Sequence, residues 1–186
     1  MNMNAKKVLS TFSPYSIEKE IINIKLDANE NPYDLFERLN SEFIREVVNL
    51  NLNRYPDTDS DELRVKIAEH ISVKKENIIC GNGSDEIIQM LINAFVDKGE
   101  YVITHRPTFT MYNISVNIAG GNILEIPCDK DFNIPESEII RESNERGAKL
   151  IFLCNPNNPT GTIIPKGVIK RIIQNTEAIV VVDEAY

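Results

Sequence analysis

Several residue types are scarce in this 186-residue sequence, and their scarcity excludes whole classes of protein. The chain has no tryptophan, only two histidines, and three cysteines at positions 80, 128 and 154. No Cys-x-x-Cys pair occurs, so we expect neither a zinc site nor a redox-active dithiol. Each cysteine lies in or beside an apolar run, which predicts buried free thiols in a reducing compartment. The two histidines lie far apart in the sequence, and no metal site is predicted from them.

Basic charge and long apolar segments are also limited. Lysine and arginine number 20 against 28 aspartates and glutamates, which gives a formal net charge of -8. We do not expect such an acidic chain to coat nucleic acid or an anionic membrane. No apolar run approaches the length that spans a bilayer, and the first residues contain no secretory signal pattern. These absences predict a folded cytoplasmic protein without nucleic-acid or membrane partners.

Two regions differ in their patterns. Residues 1–58 are predicted to form an arm, an amphipathic helix within residues 34–50, and the polar loop NRYPDTDS. Asp59 or Ser60 is predicted to cap a helix that runs to about His70. Residues 59–186 then form the second predicted region, in which short apolar runs alternate with helical patterns.

Five apolar runs in the second region have the composition of strands: ENIIC, YVITH, ILEIP, KLIFLC and AIVVV. Each pair of runs is separated by a segment with helical periodicity. Strands that alternate with helices predict an α/β fold with a mainly parallel sheet. The nearly continuous apolar character of AIVVV is typical of a sheet that is covered on both faces.

Distinctive residues follow four of these five strands. The segments are GNGSDE, RPTF, NPNNPTG and DEAY, which end at residues 86, 109, 161 and 186. In open α/β sheets, ligands bind beyond the carboxyl ends of the strands. Four such segments at one edge therefore predict one common site.

Each segment also has a purely structural explanation. Ser84 and Asp85 open a helix whose unpaired amides and dipole favour a phosphate, but either residue is also an ordinary helix cap. The prolines and glycine of NPNNPTG make a rigid turn, although Asn157 and Asn158 also place amide donors at the site edge. Asp183 follows a buried strand and needs a partner, which a salt bridge or a helix cap also supplies.

Taken with LDANENP, NRYPD and PTFTMY, these segments resemble the class II pyridoxal-phosphate aminotransferases of fold type I, in order and in spacing. NRYPD and ANENP are most similar to the histidinol-phosphate aminotransferase branch. The resemblance runs from Pro14 to Tyr186. It implies the three-layer, mainly parallel large domain of that fold, of which residues 59–186 are an N-terminal part, and pyridoxal 5'-phosphate as cofactor.

The resemblance assigns four residues to the cofactor ring. Phe109 would stack on the pyridine ring. Asn158 and Tyr186 would hydrogen-bond its phenolic oxygen, and Asp183 would pair with its nitrogen and keep it protonated. Asp183 and Tyr186 are therefore the predicted catalytic residues.

The resemblance assigns the remaining contacts as follows. Ser84 and Asp85 would hold the cofactor phosphate, with backbone amides and the Ser84 hydroxyl making the contact. Tyr55 would reach the cofactor phosphate of a neighbouring subunit, which implies a homodimer. Asn29 and Glu30 would lie near an amino-acid or keto-acid substrate.

The implied reaction is amino transfer between glutamate and imidazole-acetol phosphate, as in histidine biosynthesis. Two departures concern the substrate end: PYSIEKE stands where the family shows Pro-Tyr-x-Pro-Gly, and YDLF follows ENP where many members have glycine. A related enzyme such as a phosphothreonine-type decarboxylase therefore remains an alternative. A fragment that binds only the cofactor or a partner chain is another.

The resemblance implies that several family features lie beyond Tyr186, among them the later strands, the arginine that binds the substrate carboxylate and the small C-terminal domain. The Schiff-base lysine follows DEAY in the family, and Lys149, Lys166 and Lys170 do not match its motif. We therefore expect these 186 residues alone to be inactive. In the family's strand order two later strands stand between ENIIC and AIVVV, so AIVVV is expected to form an apolar edge and to promote self-association.

Overall fold

The computed structural model describes residues 6, 7, 9, 29–33, 41–51 and 53–186, the side chains of residues 41 and 42 excepted. The chain divides into two compact units, one formed by Pro14–Cys80 and the other by Gly81–Tyr186 with Met1–Ser13. No helix among the described residues is long and apolar enough to cross a membrane. The boundary predicted after residue 58 stays a prediction.

The smaller unit is helical in its described part. Its elements are α1 (Ser41–Asn49), α2 (Asp61–Ile71) and a short 3-10 turn (Lys75–Asn77). The helix predicted within residues 34–50 is confirmed over α1, while residues 34–40 lie outside the described part.

Helix α2 begins where the polar loop predicts it, but a different residue caps it. Ser60 makes no capping hydrogen bond through its side chain. The Asp57 carboxylate instead accepts hydrogen bonds from the backbone amides of Asp59 and Asp61, at 3.0 and 2.6 Å. These amides lower the pKa of the Asp57 carboxyl. Ser60 therefore occupies the cap position, but the prediction that the Asp59 or Ser60 side chain caps the helix is wrong, because the carboxylate of Asp57, earlier in the loop, accepts hydrogen bonds from the free amides.

The larger unit contains four helices and four strands among its described residues. In chain order they are α3 (Ser84–Phe95), β1 (Tyr101–Arg106), α4 (Met111–Ala119), β2 (Asn122–Pro127), α5 (Glu136–Arg146), β3 (Leu150–Cys154), α6 (Lys166–Gln174) and β4 (Ile179–Asp183). The strands are all parallel and lie in the order β2-β1-β3-β4. The predicted α/β fold with a mainly parallel sheet is confirmed.

Both faces of the sheet are covered by helices. Successive side chains of a strand point to opposite faces, so β3 contributes to two separate cores. Leu150 and Phe152 join an apolar cluster with residues of α3 and α4. Ile151 and Leu153 join a second cluster with residues of α5 and α6. The predicted three-layer arrangement is therefore present, with β3 completely buried between the helices.

The run ENIIC, predicted as the first strand, does not form one. Its start belongs to the 3-10 turn, and Ile78 has an extended backbone (φ -120°, ψ 131°) that pairs with no strand of the described chain. Ile79 is 74% exposed. A strand needs a hydrogen-bonded neighbour, and apolar composition alone does not supply one. AIVVV, by contrast, forms β4 and lies at the edge of the described sheet, as predicted.

A buried histidine lies in the middle of this sheet. His105 of β1 is 1% exposed, and its Nε2 atom has no hydrogen-bond partner in the described part of the chain. Its Nδ1 atom lies 3.6 Å from the Cys128 sulphur. Burial lowers the pKa of His105 to about 4, because the charged imidazolium loses its hydration. The folded protein therefore holds this side chain neutral.

The buried imidazole predicts a loss of stability in mild acid. Between its ordinary pKa of 6.5 and the folded value of about 4, the unfolded chain binds a proton at His105 that the folded chain does not. Stability is therefore full above pH 6.5 and falls as the pH drops toward 4. From pH 7 to pH 5 we expect His105 to cost about 2 kcal/mol of unfolding free energy.

Urea unfolding of the wild type and of His105→Leu at the two pH values measures this cost. The variant is expected to lose about 2 kcal/mol less than the wild type on acidification. His70→Leu, which changes an exposed histidine of α2, is the matched control and should follow the wild type. An identical acid response of wild type and His105→Leu would contradict the assignment.

Candidate functional site

The carboxyl edge of the sheet gathers most of the predicted site residues. Strands β1, β3 and β4 are parallel, so the segments that follow them leave the sheet at the same edge. Helix α3 packs on the sheet and returns to β1 through a short connection, so its first turn lies at that edge too. The residues brought to this edge are Ser84, Asp85, Phe109, Asn158, Asp183 and Tyr186.

Asp183 ends β4 and has a specific partner. The hydroxyl of Tyr112 donates a hydrogen bond of 2.6 Å to its Oδ2 atom. Its Oδ1 atom accepts a hydrogen bond of 3.2 Å from the amide of Ala185. The partner that a half-buried carboxylate requires is thus a tyrosine, and among the described residues Asp183 forms neither a salt bridge nor a helix cap.

Tyr112 is completely buried and makes aromatic contacts on two sides. Its ring stacks on Phe152, with ring centroids 4.7 Å apart and planes 12° apart. The rings of Phe109 and Tyr112 form a T-shaped pair with centroids 5.6 Å apart. Burial, together with the hydrogen bond to Asp183, raises the pKa of Tyr112 far above its usual value. Tyr112 was not among the predicted site residues, although it ends the motif PTFTMY, three residues after Phe109.

The two residues predicted to share the phenolic oxygen of a cofactor contact each other. The side-chain amide of Asn158 donates a hydrogen bond of 3.0 Å to the hydroxyl of Tyr186. Tyr186 is 59% exposed. One amide and one phenol are therefore held together at the open edge of the sheet, and both retain capacity to bond an oxygen atom of a ligand.

Asn157 does not place its amide at the site edge, contrary to the prediction. It is 4% exposed, and its Nδ2 atom donates to the carbonyl of Pro107 at 3.0 Å and to the hydroxyl of Thr160 at 2.8 Å. Its Oδ1 atom accepts a hydrogen bond of 2.9 Å from the Thr108 hydroxyl. The side chain therefore turns inward and ties the loop after β3 to the loop after β1.

Helix α3 begins with amides that lack partners in the described chain. Gly83 adopts a left-handed φ of 79° at the cap position, and no side chain among the described residues caps the helix. Glu86 turns back, so that its carboxylate accepts a hydrogen bond from the amide of Asn82. Ser84 and Asp85 open the helix with exposed side chains. An exposed helix start with free amides is a favourable place for a phosphate.

Three predicted residues belong to the smaller unit. The side chain of Tyr55 is 100% exposed, and Asn29 and Glu30 are exposed as well. Their contacts with a cofactor, a substrate or a second subunit stay predictions.

A cavity of about 770 Å³ lies at the opposite, amino edge of the sheet. It is lined by residues such as Ser143, Lys149 and Glu177. None of the predicted site residues lines it. We place the candidate site at the carboxyl edge nevertheless, because the hydrogen-bonded carboxylate, phenol and amide converge there.

A protein-family comparison identifies the family of this chain. The model for class I and II aminotransferases matches residues 21–186. This chain belongs to that aminotransferase family. The matched range includes every segment that forms the carboxyl edge.

Several curated relatives of this chain are histidinol-phosphate aminotransferases. The histidinol-phosphate aminotransferase of Clostridium novyi is 42% identical over 181 residues, which are 97% of this chain and 51% of that protein. The enzyme of the same name from Ruminiclostridium cellulolyticum is 44% identical over 184 residues, 96% of this chain and 51% of that protein. The chain thus spans about half the length of these relatives.

Solved aminotransferase structures share the fold. One is the histidinol-phosphate aminotransferase of Sinorhizobium meliloti, solved with pyridoxal 5'-phosphate, which has a TM-score of 0.70 at 24% identity. The match covers 76% of this chain and 38% of that chain. An aspartate aminotransferase double mutant from Thermus thermophilus has a TM-score of 0.61 at 30% identity, covering 67% and 35%.

Because Asn157 points inward, we predict that replacing it by alanine destabilises the protein much more than replacing the adjacent Asn158. Asn157→Ala removes three hydrogen bonds made by a buried side chain, so we expect a loss of roughly 2–4 kcal/mol of unfolding free energy. Asn158→Ala removes one exposed bond and should change stability by less than about 0.5 kcal/mol. Urea unfolding of both variants measures the difference. Equal losses would contradict the structural role of Asn157.

Proposed function

We propose that the protein carrying this chain is a pyridoxal-phosphate aminotransferase that moves an amino group between glutamate and imidazole-acetol phosphate. The observation that carries this proposal is the Asp183 carboxylate at the end of β4, held by Tyr112 beside the Asn158–Tyr186 pair. Family membership and the names of the curated relatives support the reaction and the substrate.

The residues at the carboxyl edge fit the chemistry of this cofactor. A bound pyridoxal phosphate supplies a protonated pyridine ring that withdraws electrons from the substrate. Asp183 offers a carboxylate for the ring nitrogen, and its two hydrogen bonds from the protein leave acceptor capacity for a third donor. The ionised carboxylate would hold the proton on that nitrogen.

Donors of the site suit the oxygen atoms of the cofactor. Asn158 and Tyr186 would bind the phenolic oxygen of the ring through the groups that now contact each other. The amides at the start of α3 and the Ser84 hydroxyl would bind the phosphate, since the helix dipole also favours a negative charge there. Asp85 would contribute its backbone amide, because its carboxylate would repel the phosphate.

Aromatic packing orients the ring in this proposal. Phe109 is half-buried and packs against the first core cluster. Its ring is fixed by the edge contact with Tyr112. A fixed aromatic face at the mouth of the site would stack on the pyridine and align it with Asp183.

We propose that the intact enzyme is a homodimer. Tyr55 would reach the cofactor phosphate of a neighbouring subunit, and its fully exposed side chain is available for such a contact. Asn29 and Glu30, which are also exposed, would lie near the amino-acid or keto-acid substrate.

Cofactor binding at Asp183 is testable with pyridoxamine 5'-phosphate. This form of the cofactor has no aldehyde and therefore does not react with surface lysines. We expect the wild type to bind it in equilibrium dialysis, and Asp183→Asn to weaken binding by at least about tenfold through loss of a charge-assisted hydrogen bond. Glu184→Gln, an exposed neighbour, is the control and should bind like the wild type. Equal affinities for all three proteins would refute the assignment.

The reaction is tested on the protein that carries this sequence with its cofactor bound. Histidinol phosphate and 2-oxoglutarate should give glutamate, with a kcat/KM roughly 100-fold above that for phosphothreonine as amino donor. Glutamate release is followed in a coupled assay, and carbon dioxide release in parallel. Preferential decarboxylation of phosphothreonine would contradict the proposed reaction and favour the decarboxylase alternative.

A further inference from the structure

Tyr112 is completely buried and contacts two residues of the proposed site, Asp183 and Phe109. We propose that Tyr112 is a positioning residue of the cofactor site, which fixes both the Asp183 carboxylate and the Phe109 ring. This inference rests on the proposed use of the cofactor. Tyr112 itself touches no ligand in it and acts only through these two residues.

The hydrogen bond to Asp183 sets the orientation of the carboxylate. Asp183 lies at the last position of β4, the edge strand of the described sheet, so pairing with β3 restrains its backbone from one side only. The 2.6 Å contact from the Tyr112 hydroxyl and the 3.2 Å contact from the Ala185 amide each engage one carboxylate oxygen. Two donors at different oxygens restrict rotation of the group and leave its outer lone pairs for a ring nitrogen.

The position of the hydroxyl is itself fixed by packing. Tyr112 is completely buried on α4 and stacks on Phe152 of the central strand β3. A ring held between a helix and a strand has little rotational freedom, so its hydroxyl presents a donor at a fixed point. The burial that raises the pKa of Tyr112 also keeps the phenol protonated, so it can act as a donor to the carboxylate.

The same ring also fixes Phe109. The two aromatic rings meet edge to face at 5.6 Å with planes 85° apart. Phe109 is the proposed stacking residue, and Asp183 is the proposed partner of the ring nitrogen. Tyr112 therefore sets the distance between the Phe109 ring and the Asp183 carboxylate. Phe109 would define the plane of the pyridine ring, and Asp183 would define its rotation within that plane.

Core packing alone does not require the hydroxyl. Phenylalanine at position 112 would fill the same space and would keep both aromatic contacts. The hydroxyl is buried and its donor goes to Asp183, a residue of the proposed site and not of the core. Removing only this oxygen therefore separates a positioning role from a packing role.

The test compares two ligands that differ at one ring atom. Pyridoxamine 5'-phosphate has the ring nitrogen, whereas its 1-deaza analogue has a C–H group in that place. We expect Tyr112→Phe to raise the Kd for pyridoxamine 5'-phosphate about tenfold and to change the Kd for the analogue by less than about twofold. Tyr101→Phe, which removes a hydroxyl at the other end of the sheet, is the matched control and should change neither value.

A second comparison uses the Asp183→Asn background. Because the ionised partner of the ring nitrogen is already absent there, adding Tyr112→Phe should weaken binding by less than about a further twofold. Full additivity of the two substitutions would overturn the inference.

The remaining outcomes are also decisive. If Tyr112→Phe weakens the binding of both ligands equally, or abolishes it, Tyr112 acts in packing and its positioning role is overturned. Unchanged binding of both ligands would overturn it as well. If the wild type binds neither ligand, the proposed cofactor fails and this inference falls with it. If the wild type binds pyridoxamine 5'-phosphate more tightly than the 1-deaza analogue and Tyr112→Phe keeps this preference, the positioning role of Tyr112 is refuted. The proposed cofactor would then still stand.

Discussion

The parallel pairing of β3 with β4 is the constraint on which the candidate site depends. This register sets Cys154 opposite Asp183, and the amide of Asn155 then donates to the Asp183 carbonyl at 2.8 Å. NPNNPTG and DEAY therefore leave the sheet side by side, which lets Asn158 reach Tyr186. A shift by one residue would turn Asp183 to the other face of the sheet and separate it from Tyr112.

Two buried polar side chains, Asn157 and Tyr112, fix the segments at this edge of the sheet relative to one another. Asn157 joins the loops after β1 and β3, and Tyr112 joins helix α4 to the end of β4. Both side chains are buried, so their hydrogen bonds are expensive to break and admit few alternative arrangements. The half-buried amide of Asn158 and the exposed hydroxyl of Tyr186 can remain available to a ligand, because other residues fix the loops that carry them.

Sequence patterns predicted what depends on local chemistry. Ser84 and Asp85 open helix α3 as expected, and the apolar run AIVVV forms strand β4. The prediction that ENIIC forms a strand was wrong, because a strand depends on a hydrogen-bonded neighbour that its own composition does not specify. The direction of Asn157 was missed for a similar reason: two adjacent asparagines in one turn look equivalent until the partners at Pro107 and Thr108 are known.

Electrostatics explain why a neutral tyrosine suits the place beside Asp183. A lysine or arginine there would neutralise the carboxylate and compete with any cationic ring nitrogen for it. A purely apolar neighbour would leave the half-buried charge unsatisfied. A buried phenol orients the carboxylate through one hydrogen bond without cancelling its charge. The negative charge therefore remains available at the carboxyl edge, where a protonated pyridine would require it.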